Sequence, residues 1–400
     1  MGIFKSELPD LIIPNVDLYH HVISNPNSIP DNKPIYIDGL TNKSITFGEF
    51  KSFTKKFASG LKSIGFKPGE VLAIVSPNHI HYPIASLGTI AFGGAVTTAN
   101  PNYTVDELTY QLTDSKASII VAHPSTLPTV LKAANNVKIP TSKIFVFDEN
   151  EDLDHGIRTF ISLFKDDDDD SAIIHYTTEE EVKSTVAYLC YSSGTTGRQK
   201  GVETTHYNMV ANIEQVYHFE KFTPDLAFLG PLYHIFALHF IIHQALYSVK
   251  LGINEQGELC VRGPNIMKGY LNNKQATKEC IGKDGFFRTG DVAFINENGK
   301  IFLVDHIKEL IKYKGSQVAP AELESVLLTN PIISDAAVVG IYSEQDATEL
   351  PVAYIVLQNL PPEAANDHQQ TKKLIQDHVA EKVAPHKKLH GGVYIIDKIP

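Results

Sequence analysis

The sequence is poor in cysteine and lacks any long apolar run. Its three cysteines, Cys190, Cys260 and Cys280, are too few and too widely spaced for a disulfide framework or a zinc site, and they fit a reducing compartment. No run reaches the roughly 18 consecutive apolar residues of a membrane span, and the first twenty residues lack a basic-then-apolar signal pattern. We therefore expect a soluble, cytoplasmic protein without an integral membrane segment.

Positive charge is also in deficit. The chain carries 46 Asp and Glu against 35 Lys and Arg, a net charge of −11, which argues against a general affinity for nucleic acid or anionic lipid. Any anionic ligand must then be held by local cations. The run of aspartates from Asp166 to Asp170 indicates a hydrated surface loop rather than a metal site. A length of 400 residues with 43% apolar content allows two or three globular domains.

One segment has the composition of a phosphate-binding loop. Residues 186–202 read VAYLCYSSGTTGRQKGV, an apolar run followed by glycines, hydroxyls and a lysine. Glycines let backbone amides approach a ligand, and hydroxyls and a lysine bind anions, although a flexible polar turn is the alternative. The spacing does not fit the Walker pattern GxxxxGK[ST]. The predicted phosphate contacts are Ser192, Ser193, Gly194, Thr195, Thr196, Gly197, Arg198, Gln199 and Lys200.

The remaining patterns predict an α/β protein. Thr46–Glu49 and Thr104–Glu107 read as capping boxes that begin helices, and residues 71–75, 118–121 and 144–147 read as short buried strands. Their alternation favours a parallel α/β layer. Thr205 is expected to cap a helix directly after the phosphate-binding loop, which would place the loop at a strand-to-helix junction with help from the helix dipole.

Beyond residue 257 the patterns change. Short segments between glycines from 257 to 303 indicate small antiparallel β structure. A helix is expected to begin at Pro320, followed by strands at 336–341 and 352–357 and a helix at 374–383. These elements predict a small α+β domain at the C-terminal end.

The loop resembles the signature Tyr-x-Ser-Gly-Thr-Thr-Gly-x-Pro-Lys-Gly-Val of the adenylate-forming acyl-CoA ligases, with Gln199 at the proline position. TGD at 289–291 and VDHIKELIKYKGSQVAPAELE at 304–324 follow in the order of that family. PLYHIF at 231–236, GELCVRGPNIMKGYL at 257–271 and ELIKYKG at 309–315 resemble its 4-coumarate–CoA ligase-like branch. The resemblance implies a large multi-layer α/β domain over 1–303 and a small mobile domain over 304–400.

The resemblance also implies a chemistry. In this family a carboxylate attacks the α-phosphorus of ATP, pyrophosphate departs, and the thiol of CoA displaces AMP. ATP, CoA and Mg²⁺ are thus the expected cofactors and a small carboxylic acid the expected substrate, with Thr196 reaching the metal. Asp291 would accept hydrogen bonds from the ribose hydroxyls. His306 stands where the family usually has arginine and would make a weaker second ribose contact.

Further roles follow from the resemblance for the lysine-rich segment and for one histidine. Lys308 and Lys312 would approach the acyl-adenylate, Lys314 and Gly315 would contact CoA, and Gln317 the nucleotide. His234 would gate the acyl tunnel. The residues alone leave alternatives open, because lysines on a surface helix are often only solvated and a histidine in an apolar stretch is often a core residue.

The chain departs from the family pattern at two places. Between Lys250 and Leu251 the family has a long segment, with a YGxTE-type motif, that this chain lacks, and the chain stops at Pro400 before an SGK-type segment. Two electrostatic contributors to adenylation are therefore missing, each worth about 2–4 kcal/mol. We expect an acid–CoA ligase with impaired activity, or alternatively a catalytically inactive protein that binds nucleotide or acyl-adenylate. A P-loop ATPase is disfavoured.

Overall fold

The structure is a computed structural model that describes most of the chain. The described residues are 11–25, 28–39, 41–148, 155–166, 170–192, 199–219, 257–295, 301–306, 311–314, 316–358, 368–396 and 398–399. Its helices are α1 (Leu18–Ile23), α2 (Phe47–Ser63), α3 (Tyr82–Ala91), α4 (Val105–Ser115), α5 (Leu127–Asn136), α6 (Glu179–Ser184), α7 (His206–Phe219), α8 (Lys274–Cys280), α9 (Pro320–Leu327) and α10 (His368–Ala380).

The strands fall into one large sheet and several small ones. In chain order they are β1 (Pro34–Ile37), β2 (Ser44–Thr46), β3 (Val71–Val75), β4 (Ala95–Ala99), β5 (Ala117–Ala122), β6 (Ile144–Val146), β7 (Arg158–Thr159), β8 (Val186–Ser192), β9 (Lys200–Thr205), β10 (Gly257–Val261), β11 (Gly269–Tyr270), β12 (Phe287–Ile295), β13 (Ile301–His306), β14 (Ile311–Tyr313), β15 (Ser316–Val318), β16 (Ile333–Ser343), β17 (Thr348–Leu357) and β18 (Gly392–Ile395).

The large sheet has the strand order β11-β9-β8-β4-β3-β5-β6-β7. From β8 to β7 every neighbouring pair is parallel, and β9 and β11 add an antiparallel rim. All five residues of β3 and of β4 are buried, as expected for parallel strands covered by helices on both faces. The predicted parallel α/β layer is therefore confirmed.

Local signals set the helix starts. Both predicted capping boxes are present: the Thr46 hydroxyl accepts from the Glu49 N–H, the Thr104 hydroxyl accepts from the Glu107 N–H, and each glutamate returns a bond to the cap. The α2 helix then packs very closely on its surroundings at Gly60, where a Cβ atom would lie 1.7 Å from the carbonyl oxygen of Leu163. Only glycine allows that approach.

The predicted strand-to-helix junction at the phosphate-binding loop is wrong. β8 is followed by β9, its antiparallel neighbour, so the ends of the loop lie at a hairpin, with Ser192 paired to Lys200. The α7 helix begins only after β9, and Thr205 caps it as expected, because its hydroxyl accepts from the Asn208 N–H at 3.2 Å. The sheet therefore holds the ends of the loop, and the helix dipole is one strand away.

The lysine-rich segment also differs from expectation. Lys312 lies in β14 and pairs with Gln317 of β15, so the described part of this segment is a β-hairpin and not a surface helix. The antiparallel structure expected between 257 and 303 is confirmed by the sheet β10-β12-β13. The helix at Pro320 and the following strands and helix of the small domain are also present.

Separate cores support the two parts of the chain. Two clusters of buried side chains lie on the two faces of the large sheet, and a third, from Ile311 to Val393, packs α9 and α10 on the sheet β16-β17-β18. We call this third unit the small domain. β13 runs across the predicted boundary at 303/304, whose position stays a prediction. Within the described residues no helix combines the length and the apolarity that crossing a lipid bilayer requires.

Candidate functional site

Tyr103, just before α4, and Tyr110, within α4, hold the base of the phosphate-binding loop. The Tyr103 hydroxyl donates to the side-chain oxygen Oε1 of Gln199 at 2.5 Å, and the Tyr110 hydroxyl donates to the Gln199 carbonyl at 2.9 Å. Gln199 is 9% exposed. Because hydrogen bonds fix both the side chain and the backbone of Gln199, the chain has a defined position directly before Lys200, where β9 begins.

The same helix also ties down the strand that enters the loop. The Tyr191 hydroxyl donates to the Asp114 carboxylate at 2.7 Å. Burial and the neighbouring Asp114 raise the pKa of Tyr191 well above its ordinary value, so the phenol stays protonated and keeps donating. Lys200, on the opposite strand, places its ammonium 5.3 Å from the ring centroid of Tyr270 in β11. The loop thus begins and ends at positions fixed by side chains from α4 and β11.

The two residues expected at the ribose lie opposite each other. Asp291 in β12 and His306 in β13 are partners in the antiparallel register. Gly290 precedes Asp291 with φ +80°, and the Asp291 N–H donates to the Thr289 hydroxyl at 3.1 Å, at a bulge in β12 where the pairing with β10 shifts register. The described observation is this backbone pairing, which places the two candidate ribose residues at neighbouring positions of adjacent strands.

The lysine hairpin is fixed to the small-domain sheet. The Lys312 N–H donates to Glu349 at 2.6 Å, and the Lys314 N–H donates to the Thr348 hydroxyl at 2.7 Å. Lys314 occupies the left-handed region with φ 45°. Its ammonium lies 3.9 Å from Asp346, and both side chains are largely exposed. The backbone is therefore held while the lysine side chains extend toward solvent.

Several predicted residues cannot be compared with the structure. Ser193, Gly194, Thr195, Thr196, Gly197, Arg198, His234, Lys308 and Gly315 lie outside the described residues. For His306 and Gln317 the backbone pairing is described. The roles given to all of these residues stay predictions, as do the roles of those that the structure describes.

Sequence reasoning missed the contribution of α4. Tyr103, Tyr110 and Asp114 contact the loop strands, yet the pattern around them was read only as a helix start. Within α4, Tyr110 and Asp114 are four residues apart, which puts these two polar side chains on one helical face, while Tyr103 precedes the helix. That spacing was the available signal.

The predicted Mg²⁺ site depends on Thr196, which lies outside the described residues, so it stays a prediction. Among the described residues, Asp17, His20 and His175 are the one group whose ligand atoms lie close enough to share an ion. Asp17 there caps α1 by accepting from the His20 N–H, and its other oxygen accepts from the Tyr176 N–H at 3.2 Å. Because both Asp17 oxygens already accept hydrogen bonds, helix capping explains this cluster. The cluster lies at α1 and not at the loop.

A parallel α/β sheet that carries a hydroxyl-rich loop, followed by a three-stranded antiparallel sheet and a small α+β domain, defines the architecture of an adenylate-forming enzyme. The chain belongs to the AMP-binding enzyme family: the family model for AMP-binding enzymes matches residues 25–252, and the model for the AMP-binding enzyme C-terminal domain matches residues 322–400. The resemblance seen in the sequence motifs is therefore confirmed.

Curated relatives and solved structures agree with this assignment. The chain is 28% identical to 4-coumarate-CoA ligase 1 of Narcissus pseudonarcissus, with 100% of the chain and 93% of the relative aligned over 542 positions. It is also 28% identical to acyl-CoA ligase azaF of Aspergillus niger, covering 92% of each. The amide bond synthetase McbA from Marinactinospora thermotolerans has the same fold, with a TM-score of 0.75 at 16% identity over 96% of both chains.

Proposed function

We propose that the protein is an acid–CoA ligase, which activates a small carboxylic acid as acyl-AMP with ATP and passes the acyl group to CoA. The observation that carries the proposal is the register of β12 and β13, because the two residues selected from the sequence as ribose contacts are paired across neighbouring strands. The 4-coumarate-CoA ligase and acyl-CoA ligase relatives, aligned over nearly their whole length, supply the reaction class.

In this proposal the predicted site residues bind and orient the substrates. Lys200, at the end of the loop, offers a cation to departing phosphates, and Gln199 fixes its position through Tyr103 and Tyr110. Asp291 accepts hydrogen bonds from two ribose hydroxyls, which a carboxylate can do at the same time. Mg²⁺, held through Thr196, would neutralise charge on the phosphates. The acyl-adenylate is expected near Lys308 and Lys312, and CoA near Lys314 and Gly315.

We further propose that the adenylation step is weaker than the transfer to CoA. The alignment with the Narcissus ligase extends over 542 positions, whereas the chain has 400 residues, which supports the absence of an internal segment. The YGxTE-type motif of the family belongs to that segment. The lysine hairpin expected to meet acyl-adenylate and CoA is present and fixed to the small-domain sheet.

Separate assays of the two half-reactions test the proposal. ATP–pyrophosphate exchange is measured over a panel of cinnamic and fatty acids, and thioester formation is measured from synthetic acyl-adenylates and CoA. We expect thioester formation to exceed exchange. Robust exchange with any acid would contradict the weakened adenylation, whereas AMP binding without either half-reaction would favour the alternative of a catalytically inactive nucleotide-binding protein.

Nucleotide binding itself is tested at Asp291. Asp291→Ala removes a charged acceptor from the ribose and is expected to weaken AMP binding by roughly ten- to hundredfold, measured by calorimetry. Asp335→Ala is the matched control, because Asp335 is an exposed aspartate on β16 of the small domain. Equal AMP affinity in the Asp291→Ala variant and the control would remove Asp291 from the site.

A further inference from the structure

A buried lysine joins the small domain to α4. Lys387 is 1% exposed, and its ammonium lies 2.8 Å from Glu107 and 2.9 Å from Glu322. The ring centroid of Tyr103 lies 5.6 Å from the same ammonium. A cation is rarely so deeply buried unless it is paired, and here it meets two carboxylates and an aromatic face. We call Lys387, Glu107 and Glu322 the ion triad.

The two carboxylates come from different domains. Glu107 belongs to the first turn of α4 in the large domain, while Glu322 belongs to the first turn of α9, in the same small domain as Lys387. Burial by itself would lower the pKa of Lys387, but Glu322 and Glu107 raise it, so the lysine stays charged near neutral pH. Burial raises the pKa of Glu322, whose second oxygen is buried without a hydrogen-bond partner.

The ion triad is complete only while the small domain rests on α4. If the domain moved away, Glu107 and Lys387 would both return to water, so neither charge would be left buried and unpaired. If the cation were removed with the domain in place, two partly buried carboxylates would lie close together without their shared cation, which is unfavourable. Lys387 therefore pairs with one carboxylate from each domain.

The same contact reaches the phosphate-binding loop. One oxygen of Glu107 holds Lys387, and the other accepts from the Thr104 N–H at 2.8 Å. The preceding residue, Tyr103, donates its hydroxyl to Gln199 at 2.5 Å. The start of α4 thus contacts both the small domain and the base of the loop.

We propose that Lys387 is a positioning residue that docks the small domain on the start of α4 and thereby couples that docking to nucleotide binding at the phosphate-binding loop. The docking half of this proposal is independent of activity. The coupling half rests on the proposed function, because it needs the loop to bind AMP.

Docking is tested by hydrogen–deuterium exchange of the full chain at residues 104–107 and 320–327. Lys387→Met keeps the length of the side chain without its charge, and we expect roughly tenfold faster exchange at both places. Lys387→Arg restores the charge and is expected to recover most of the protection. Lys388→Met, at the partly buried neighbouring lysine, is the matched control and is expected to exchange like the wild type.

Glu107→Gln is the second variant, and it tests docking of the small domain on α4 if Lys387→Met does not fold. Glutamine also serves in capping boxes, so α4 keeps its cap while the interdomain charge is lost. Faster exchange at 320–327, which lies in the other domain, supports docking through the triad. Unchanged exchange at 320–327 in Glu107→Gln overturns it.

Coupling is tested by repeating the exchange measurement with AMP. In the wild type we expect AMP to slow exchange at 320–327, and in Lys387→Met we expect this response to vanish while AMP still binds. A merely structural lysine would lower the melting temperature without removing the response. The same response in both proteins overturns the coupling, and failure of AMP to bind the wild type contradicts the proposed function while leaving the docking result intact.

Discussion

Gln199 is the residue at which the sequence departs from the family loop, and the structure gives its side chain a partner. Proline at this position could not accept a hydrogen bond from Tyr103, whereas Gln199 accepts one at 2.5 Å. The substitution therefore exchanges backbone stiffness for a contact with α4. Although Gln199 departs from the family motif, its hydrogen bond with Tyr103 keeps the base of the loop in place.

Removing this acceptor should destabilise the protein measurably. Gln199→Leu leaves the Tyr103 hydroxyl without its partner in a partly buried place, which we expect to lower the free energy of unfolding by about 1–3 kcal/mol in urea denaturation. The double variant Gln199→Leu with Tyr103→Phe should lose less than the sum of the two single variants. Additive losses would show that the two side chains do not interact.

A second residue-scale prediction concerns His206 and pH. Leu18 donates its N–H to Nδ1 of His206 at 3.1 Å, while Nε2 is buried without a partner. Burial lowers the pKa of His206 to about 4 although the nearby Asp17 opposes the shift. As pH falls below about 6.5 the unfolded chain takes up the proton first, so the stability this histidine contributes is present above that pH and is lost toward pH 4.

The pH effect can be measured by urea denaturation at pH 7 and pH 5. For the wild type we expect His206 to account for about 2 kcal/mol of the loss between these values. His206→Asn should remove that share of the pH dependence, and His155→Asn, at an exposed histidine, serves as the control. An identical pH dependence in His206→Asn and the wild type would contradict the assignment.

At the scale of elements, α4 supports both the loop and the small domain, so its cap is expected to matter beyond its own stability. Thr104→Ala removes the hydroxyl that accepts from Glu107 and should cost about 1 kcal/mol of stability in denaturation. The same variant should also weaken AMP binding, because Tyr103 adjoins the cap. Thr113→Ala, at the exposed end of the same helix, is the control and should leave AMP binding unchanged.

Elements defined by local residues could be predicted from the sequence, whereas elements defined by distant partners could not. The start of α4 follows from Thr104 and Glu107, which are three residues apart, and β3 follows from an uninterrupted apolar run. The β14–β15 hairpin depends on Thr348 and Glu349 of β17, more than 30 residues away. Without knowledge of these contacts from β17, the lysine-rich segment is predicted to be a surface helix.

The candidate site divides in the same way. Short motifs select Asp291 and His306, whose roles stay predictions, and the antiparallel register of β12 and β13 pairs them. Tyr103 and Lys387 were not found, since each acts through a residue far along the chain. Lys387 in particular lies in a stretch of basic residues that looks solvent-exposed, yet in the folded chain it is buried between Glu107 and Glu322.

At the scale of the whole molecule, the labelling rates of the three cysteines measure how often the large sheet opens to solvent. Cys190, in the middle of the large sheet, is buried, and burial raises the pKa of its thiol to about 11. Cys260 and Cys280 are only half-buried. Because the thiolate is the reactive form, Cys190 should be labelled far more slowly than the other two.

Iodoacetamide labelling at pH 8 followed by peptide mass analysis checks this expectation. We expect alkylation at Cys260 and Cys280 in the native protein and at Cys190 only at the rate at which the sheet opens. Cys190→Ala removes the slow phase and confirms its origin. Equal rates at all three positions would show that the large sheet is not closed around β8.

The hairpin that carries the phosphate-binding loop has one more consequence. Antiparallel neighbours such as β8 and β9 need only a short connection, unlike the long crossovers that join parallel strands. Residues 193–198 are therefore not required by topology to be glycine, serine or threonine. A library that randomises these six codons should yield many folded variants. Selection of these variants on immobilised nucleotide would identify the residues that nucleotide binding requires.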